Sequence, residues 1–244
     1  MTKDMLFIFT RIPTLETDRL TMRKILPSDC ADMYDYSYRP ETSRYLLWSP
    51  HANPRYTKKY IAFLQSAYRN ENFYDFALVD KKSGKMIGTC GFTSFDLQNN
   101  SAEIGYVLHP DFWGKGLARE AVMRLMAFGF AELRLHRMTA KIMTQNAASK
   151  RVAEKCGMRH EATYIESMLI KGAYETIDEN HTSLTHIFDR NDADYITEVK
   201  LSRYTCAPVA AGDVLGTVLF FKNGELIGEV NLCADDAATV KNKK

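Results

Sequence analysis

The chain has 244 residues, of which 45% are hydrophobic and 25% are charged, and its formal net charge is +2. A chain of this size can bury a full core and has room for one large domain and a small one. The interspersed charges exclude nucleic-acid binding through basic runs, and the five scattered cysteines exclude a disulfide scaffold or a zinc site. No apolar run is long enough for a membrane span or a signal peptide, so we expect a cytoplasmic protein that binds no metal, membrane or nucleic acid.

The first third of the chain predicts one strand and two helices. Residues 19–25 alternate between apolar and polar side chains, which is typical of a strand. Pro27 and the two residues after it form a helix start, for a helix that extends to about Tyr38. A second helix is predicted over 54–72. The stretch 39–51 between the two helices is predicted to be irregular.

Two β-hairpins are predicted farther along the chain. Residues 73–79 and 85–94 flank the turn sequence D-K-K-S-G-K, and they predict the first hairpin. Residues 164–170 and 174–188 flank a short turn at Gly172 and predict the second. We expect this second hairpin to complete the sheet.

Between the hairpins, a strand is followed by two glycines and a helix. Residues 102–108 (A-E-I-G-Y-V-L) are short and apolar and end before Pro110, so they predict a strand. After Gly116 the apolar residues recur at helical spacing. The sequence therefore places Gly114 and Gly116 at the connection between a strand and the first turn of a helix.

This connection is suited to binding an anion. Glycines lack the β-carbon that would hold an anion away from the backbone, and the first turn of a helix has unpaired N–H groups and a partial positive charge. Lys115 and Arg119 add formal charge. A G-x-G turn is equally typical of an ordinary tight connection. The P-loop pattern and the G-x-G-x-x-G of dinucleotide-binding folds are absent, which argues against those nucleotide sites.

A second strand-to-helix connection follows at Asn146. The apolar residues 138–143 predict a strand, and Asn146 begins a helix in which Ala148, Val152 and Cys156 share one face and which Gly157 ends. Asn146 is a favourable N-cap, worth about 1 kcal/mol of helix stability.

Two segments resemble the GNAT N-acetyltransferases, and within them the ribosomal-protein alanine N-acetyltransferases. The segments are E-I-G-Y-V-L-H-P-D-F-W-G-K-G-L-A-R-E-A at 103–121 and L-H-R-M-T-A-K-I-M-T-Q-N-A-A-S-K-R-V-A-E-K-C-G-M at 135–158. The resemblance covers roughly 15–188. It implies an α/β fold, more narrowly α+β, with a mixed, mostly antiparallel twisted sheet flanked by helices. It also implies that acetyl-CoA donates an acetyl group to an amine.

The resemblance also implies which residues bind the donor. The family's phosphate loop, [Q/R]-x-x-G-x-[G/A], places Gly116 and Ala118 at its last two small positions, so the predicted anion is the diphosphate of acetyl-CoA. The phosphate loop then comprises Trp113, Gly114, Lys115, Gly116, Leu117, Ala118 and Arg119. The pantetheine arm and the thioester oxygen are expected to contact the backbone of Gly105, Tyr106, Val107 and Leu108, and the side chain of Asn146.

Two catalytic residues are implied in the same way. Glu103 is the candidate base, acting directly or through water, although a solvated carboxylate at a strand end is an equally simple interpretation. Many family members have a tyrosine as the acid along the helix after Asn146. This helix has none, so Ser149 is the remaining candidate near the departing sulfur. Lys150 and Arg151 either contact the phosphates of the donor or are solvated.

The acceptor has three interpretations. The resemblance favours a protein or peptide N-terminal amine, and it implies that the first two helices and their connection form one wall of the acceptor site. Tyr45, Trp48 and His51 lie in that connection, where aromatic side chains also serve simply as core. The alternatives are a small amine, such as a polyamine, an amino acid or an aminoglycoside, and a non-catalytic acyl-CoA-binding module.

The last part of the chain predicts a small β-rich module. Residues 195–204, 216–222 and 225–233 are predicted strands, and the division falls between an acetyltransferase domain at 1–192 and a module at 193–244. The module resembles part of the C-terminal β-domain of penicillin-binding-protein-type D-Ala-D-Ala carboxypeptidases. Without S-x-x-K or K-T-G, no peptidase activity follows. We expect an interaction or dimerisation module, consistent with a homodimer.

Overall fold

A computed structural model of the protein describes residues 13–68, 74–183, 195–201, 214–222 and 225–233. Within these ranges, eight strands form one sheet. They are β1 (Leu15–Glu16), β2 (Leu20–Lys24), β3 (Tyr74–Asp80), β4 (Met86–Asp96), β5 (Ser101–Leu108), β6 (Arg137–Met143), β7 (Arg159–Ile170) and β8 (Ala173–Ser183). The α-helices are α1 (Cys30–Ser37), α2 (Pro40–Ser43), α3 (Pro54–Ala67), α4 (Leu117–Ala131) and α5 (Ala147–Lys155).

The sheet has the order β1-β2-β3-β4-β5-β6-β8-β7. Its described strand pairs are antiparallel except β5 and β6, which run parallel. The parallel pairing is short, because only three residues of β5 pair with β6, from Ser101 with Arg137 to Glu103 with Thr139. This confirms the predicted mixed, mostly antiparallel sheet with helices around it, and it shows that β5 and β6 separate halfway along their length.

One face of the sheet packs against α1 and α3. Their apolar side chains meet those of the strands in one buried cluster of Ile25, Met33, Tyr36, Ile61, Leu64, Ala77 and Met86. The entry to α1 is fixed by Asp29, which accepts a hydrogen bond from the N–H of Leu26 at 2.7 Å and pairs with the guanidinium of Arg23 at 2.7 Å. The predicted helix start is therefore confirmed.

Some predicted boundaries differ from the structure. The second predicted helix ends at Ala67 and not at 72, and residues 69–73 lie outside the described part of the chain. Residues 39–51 contain the short helix α2, whose Pro40 occupies the first turn, where its missing N–H costs no hydrogen bond. Ala148 in the first turn of α5 is exposed, whereas Cys156, which directly follows the last residue of α5, is buried, so the predicted face is buried only at its C-terminal end.

Three further strands form a separate antiparallel sheet in the order β11-β10-β9. They are β9 (Tyr195–Leu201), β10 (Val214–Lys222) and β11 (Glu225–Cys233). All three predicted strands are confirmed within the described residues, although residues 202–204 of the first lie outside them and β10 begins two residues earlier than predicted. None of the helices in the described ranges is both long and apolar enough to cross a bilayer.

Candidate active site

The separation of β5 from β6 opens the sheet at its centre. Beyond Glu103, β5 continues to pair with β4, with Gly105 opposite Gly91 and Val107 opposite Thr89, but it no longer pairs with β6. Backbone N–H and C=O groups of a strand point alternately to its two sides. The β5 segment from Gly105 to Leu108 therefore turns part of its backbone toward the opening.

The two glycines before α4 both adopt left-handed backbone conformations. Gly114 has φ +72° and Gly116 has φ +78°, and side-chain-bearing residues adopt such angles only with strain. A β-carbon on Gly114 would meet no atom within 4 Å, and one on Gly116 would lie 3.6 Å from the guanidinium of Arg19. The backbone angle, and not crowding, is therefore what requires glycine at these two positions.

The first turn of α4 presents its N–H groups in the predicted way. The helix begins at Leu117, and its first closing hydrogen bond runs from the N–H of Glu120 to the carbonyl of Gly116 at 3.1 Å. The N–H groups of Leu117, Ala118 and Arg119 precede that bond, so no turn of the helix accepts from them. Together with the helix dipole, they make this turn a suitable place for a phosphate.

Side chains from distant segments hold this loop in place. Arg19 donates to the carbonyl of Lys115 at 2.9 Å and forms an ion pair with Glu120 at 2.5 Å. Burial opposes the ionisation of Glu120, but hydrogen bonds from Thr17 and Arg19 hold its pKa below the ordinary value. The indole N–H of Trp113 donates to the carbonyl of Leu108 at 2.6 Å. No motif in the sequence marked Thr17, Arg19 or Glu120 as supports of this loop.

The charged residues near the loop have different surroundings. Lys115 is exposed, with its ammonium nitrogen 5.0 Å from the ring centroid of Phe112. Arg119 is also exposed and donates to the carbonyl of Lys155 at the end of α5. Lys150 pairs with the buried Asp178 at 2.5 Å, which supports neither of the two predicted roles for Lys150.

Asn146 and Ser149 lie together at the start of α5, next to β5. The side-chain oxygen of Asn146 accepts from the N–H of Ser149 at 3.1 Å, which confirms Asn146 as the N-cap. The hydroxyl of Tyr106 donates to the carbonyl of Ser149 at 3.3 Å, and burial raises the pKa of Tyr106. This hydrogen bond joins β5 to α5, so three of the predicted donor-binding residues are brought together.

Glu103 is not a free carboxylate. It pairs with the ammonium of Lys141 on β6 at 2.9 Å, which raises the pKa of Lys141, and the hydroxyl of Thr93 lies 3.3 Å from its Oε1. Its side chain is only 26% exposed. Glu103 is therefore a partly buried, ion-paired carboxylate whose charge is compensated within the sheet.

A pocket of about 200 Å³ lies on the side of the sheet that carries α1 and α3. It is lined mainly by aromatic and aliphatic residues and by glycines, and its lining includes Trp48, His51, Tyr60, Asp75 and Val107. Of the aromatic residues predicted for this wall, Trp48 and His51 line the pocket. Tyr45 packs instead against the separate cluster around Ile177.

Two titratable groups in the pocket lining matter for its charge. Burial lowers the pKa of His51, whose Nδ1 lies 2.8 Å from the hydroxyl of Ser37 and 2.9 Å from that of Thr57, so the ring is neutral at neutral pH. Burial raises the pKa of Asp75 to about 7, against the effect of hydrogen bonds from Thr89 and from the N–H of Phe76. No motif in the sequence marks Asp75. Its only signal is a carboxylate inside the apolar run of β3.

Within the described ranges, no group of three or more His, Cys, Asp and Glu side chains is placed to hold a metal ion.

A split parallel strand pair beside a glycine loop at a helix N-terminus, with a pocket next to it, defines an acyl-CoA-dependent transferase. The family comparisons agree with that class.

Residues 19–159 match the family described as "Acetyltransferase (GNAT) domain", and the chain belongs to this family. A shorter stretch, residues 180–239, matches a second family, described as "Penicillin-binding protein 5, C-terminal domain". The protein is an acetyl-CoA-dependent N-acetyltransferase. Its positive-φ glycine loop and open strand pair fit the diphosphate and the pantetheine arm of the donor.

Three relatives illustrate the range of the family. The chain is 33% identical over 159 residues to the uncharacterized N-acetyltransferase p20 of Bacillus licheniformis, covering 65% of this chain and 89% of p20. It is 24% identical over 127 residues to a spermidine N(1)-acetyltransferase of Vibrio cholerae, covering 50% of this chain and 73% of that protein. The solved structure of a ribosomal-protein-S5-alanine acetyltransferase from Vibrio fischeri superposes with a TM-score of 0.62 at 24% identity, covering 70% of this chain and 96% of that one.

Proposed function

We propose that the protein acetylates the α-amino group of a peptide or protein N-terminus by direct attack of the amine on the thioester of acetyl-CoA. One observation carries this choice of acceptor. Among the described residues that line the pocket, Asp75 alone has a carboxyl group, and the neutral His51 adds no charge. The pocket therefore matches an acceptor that brings one positive charge and an otherwise uncharged end.

The other small acceptors match this lining less well. A polyamine such as the substrate named for the Vibrio cholerae relative carries several ammonium groups, which need several carboxylates once they leave water. A free amino acid brings its own carboxylate next to Asp75, where the described lining offers no lysine or arginine to pair with it. The N-terminus of a peptide avoids both costs. The name of the Vibrio fischeri protein points to the same class of acceptor.

The donor is assigned to the loop and the strand opening. The diphosphate would be held by the N–H groups of the phosphate loop, with Lys115 and Arg119 adding charge, and the pantetheine arm would follow β5 and Asn146. An N–H of β5 that faces the opening would stabilise the oxyanion that forms on the thioester carbonyl. The full set of proposed donor-binding residues is Tyr106, Val107, Leu108, Trp113, Gly114, Lys115, Gly116, Leu117, Ala118, Arg119, Asn146 and Ser149.

The reaction needs only modest help from acid and base groups. Free α-amino groups titrate near pH ~8 and thiols near ~8.5, so positioning can supply most of the rate and proton transfer the remainder. We assign Glu103 to accept a proton from the attacking nitrogen through water, since Thr93 connects Glu103 to the pocket. We place Ser149 near the departing sulfur, supported by its position at the start of α5 beside Tyr106.

The acceptor assignment is tested by thiol release from acetyl-CoA with matched amines. An alanine-initiated peptide, alaninamide, free alanine and spermidine share a primary amine but differ in their other charges. We expect kcat/KM to be highest for the peptide, lower for alaninamide, and at least tenfold lower again for alanine and spermidine. Faster turnover of spermidine than of the peptide contradicts the acceptor. Tight binding of CoA without turnover of any amine supports the non-catalytic alternative.

We also propose that residues 193–244 form a distinct interaction or dimerisation module, with an acetyltransferase domain at 1–192. This is supported by β9, β10 and β11, which within the described ranges pair only with one another. Small sheets of this size gain stability from a partner surface. Sedimentation of the full chain at twice the monomer mass is the expected result for a homodimer.

We further place the protein in the cytoplasm, which agrees with the free thiols of Cys30, Cys90 and Cys156.

A further inference from the structure

A row of three residues crosses the sheet beneath the pocket. The strand register places Asp75 of β3 opposite Gly91 of β4, and Gly91 opposite Gly105 of β5. Directly paired residues of neighbouring strands point to the same face of a sheet. Because two of the three have no side chain, a groove leads from Asp75 to β5, whose backbone faces the opening for the donor.

The groove brings the carboxylate of Asp75 toward β5. A β-carbon on Gly91 would lie 2.9 Å from Oδ1 of Asp75 and 2.6 Å from the Cα of Asp75, so the carboxylate lies on the side of β3 that faces Gly91. One further strand spacing, about 4.8 Å, separates Gly91 from Gly105. An amine held between Asp75 and β5 would contact the carboxylate directly or through one water molecule.

The groove also has a steric boundary. A β-carbon on Gly91 would lie 2.1 Å from the carbonyl of Tyr74, which the backbone cannot relieve. A β-carbon on Gly105 would lie 2.8 Å from the side-chain methyl of Thr93. Gly91 is therefore required by the close approach of the β3 backbone, and Gly105, whose β-carbon would meet only the end of a side chain, is the more tolerant position for a test substitution.

The surroundings of Asp75 leave its charge uncompensated within the protein. Asp75 forms no ion pair with any described residue, in contrast to Glu103, which is paired with Lys141. The titratable groups that interact with it electrostatically or line the same pocket are neutral at neutral pH. They are Tyr36, His51, Tyr60, Tyr68, Tyr74, Cys90 and Tyr106. A carboxylate in such a site attracts one cation.

We propose that Asp75 binds the ammonium group of the acceptor and removes one proton from it before the attack on the thioester. This role rests on the proposed function, and it adds a catalytic residue that the resemblance to the family did not indicate. Burial raises the pKa of Asp75 to about 7, which agrees with this role. A base with a pKa near the working pH can accept a proton from an α-ammonium group, whose pKa is near ~8, at little cost in free energy.

The proton and electron balance is complete. One N–H bond of the ammonium group breaks, its proton passes to the ionised Asp75, and the electron pair stays on nitrogen. That nitrogen forms a bond to the carbonyl carbon of the thioester, and the C–S bond then breaks with its electron pair on sulfur. The second nitrogen proton passes through a water molecule to Glu103, and the thiolate takes up one proton. Asp75 returns its proton to the solvent.

The test compares Asp75→Asn with Glu103→Gln in the full chain, with an alanine-initiated peptide as acceptor. Asparagine is isosteric with aspartate and keeps an oxygen for the hydrogen bonds from Thr89 and Phe76, so folding is expected to be retained. We measure kcat/KM for the peptide from pH 5.5 to 9 and the affinity for CoA by calorimetry. Asp75→Asn should lower kcat/KM about 100-fold and remove the rise of activity near pH 7, with CoA affinity unchanged within twofold.

Three outcomes overturn the proposal. One is an Asp75→Asn enzyme that keeps the rise near pH 7 and stays within threefold of the wild-type kcat/KM. Another is loss of that rise in Glu103→Gln but not in Asp75→Asn. As a second variant, Asp75→Glu restores a carboxylate in a shifted position, and its kcat/KM at pH 8 should be at least tenfold higher than that of Asp75→Asn. The third contradicting outcome is an Asp75→Glu enzyme that is no more active than Asp75→Asn. A wild-type enzyme that acetylates no peptide refutes the proposed function instead.

Discussion

The donor side and the acceptor side of this site are built in different ways. The phosphate loop and the start of α4 are contiguous in the chain, and their function depends on backbone angles and on unpaired N–H groups. The acceptor pocket combines side chains from α1, α3, β3, β4 and β5, which are far apart in the sequence. The donor side is thus encoded locally, whereas the acceptor side exists only once the sheet is assembled.

This difference explains how one family can keep a donor and vary its acceptor. A loop that binds through backbone groups tolerates changes in most of its side chains but not in its glycines. A pocket made of side chains changes its preference with each substitution. The three relatives compared above share the fold with this chain, yet their names give different acceptors or none.

The largest effect is expected on the donor side, from Gly116→Val. Valine at φ +78° strains the backbone and turns the loop N–H groups away, so CoA affinity should fall at least 100-fold by calorimetry. Gly84→Val is the matched control, since Gly84 has φ +69° in the turn between β3 and β4 and no atom within 4 Å of an added β-carbon. We expect that control to lose stability but to bind CoA within twofold of wild type. Equal loss of affinity in both variants contradicts the anion site.

A smaller effect, confined to the acceptor side, is expected from Gly105→Ala. The added methyl group lies in the groove between Asp75 and β5, so KM for the peptide should rise about tenfold while CoA affinity changes little. Because that methyl also approaches Thr93, the double variant with Thr93→Ser separates the two causes. The groove predicts that KM stays high in the double variant. Full recovery shows that the clash with Thr93, and not the blocked groove, caused the defect.

Glu103→Gln should reduce kcat about tenfold and leave the shape of the pH profile intact, because the first proton goes to Asp75. Steady-state rates from pH 5.5 to 9 provide the measurement. Lys141→Gln removes the partner of Glu103 and keeps the carboxylate, so we expect a smaller loss there. An equal loss in both variants indicates that the ion pair, and not the carboxylate itself, accounts for the effect, and contradicts the role of Glu103 as proton acceptor.

The smallest effect is a pH-dependent stability difference. The carboxyl of Asp75 titrates near ~3.9 in the unfolded chain and near 7 in the folded protein, so ionisation destabilises the fold increasingly as the pH rises from about 4 to 7. Asp75→Asn lacks this destabilisation. Its melting temperature relative to wild type should rise across that interval and level off above pH 7. A difference that is constant from pH 4 to 8 excludes the raised pKa.

The sequence predicted the locally encoded features well. The sequence predicts that Asn146 caps α5, and the side chain of Asn146 accepts from the N–H of Ser149. It also predicts Gly114 and Gly116 directly before a helix, and both have the positive φ that this position requires. Each of these signals involves residues within a few positions of one another, where glycine and capping preferences are strong.

Features that depend on tertiary contacts could not be predicted in this way. Asp75 is one carboxylate in an apolar strand, and its meaning comes from Gly91 and Gly105 on neighbouring strands. Arg19 supports the phosphate loop from 96 residues away in the chain. Glu103 was correctly placed on β5, but its ion pair with Lys141 depends on the short parallel pairing of β5 with β6.

The most direct test of the central claim records amide spectra of the ¹⁵N-labelled protein during titration with CoA and, separately, with pantetheine. Pantetheine has the same arm but lacks the diphosphate. If the loop N–H groups bind the diphosphate, the amides of Gly114 to Arg119 shift with CoA and stay unchanged with pantetheine, whereas those of Gly105 to Leu108 respond to both. Equal shifts of the loop amides with both ligands, or none with CoA, contradict the account.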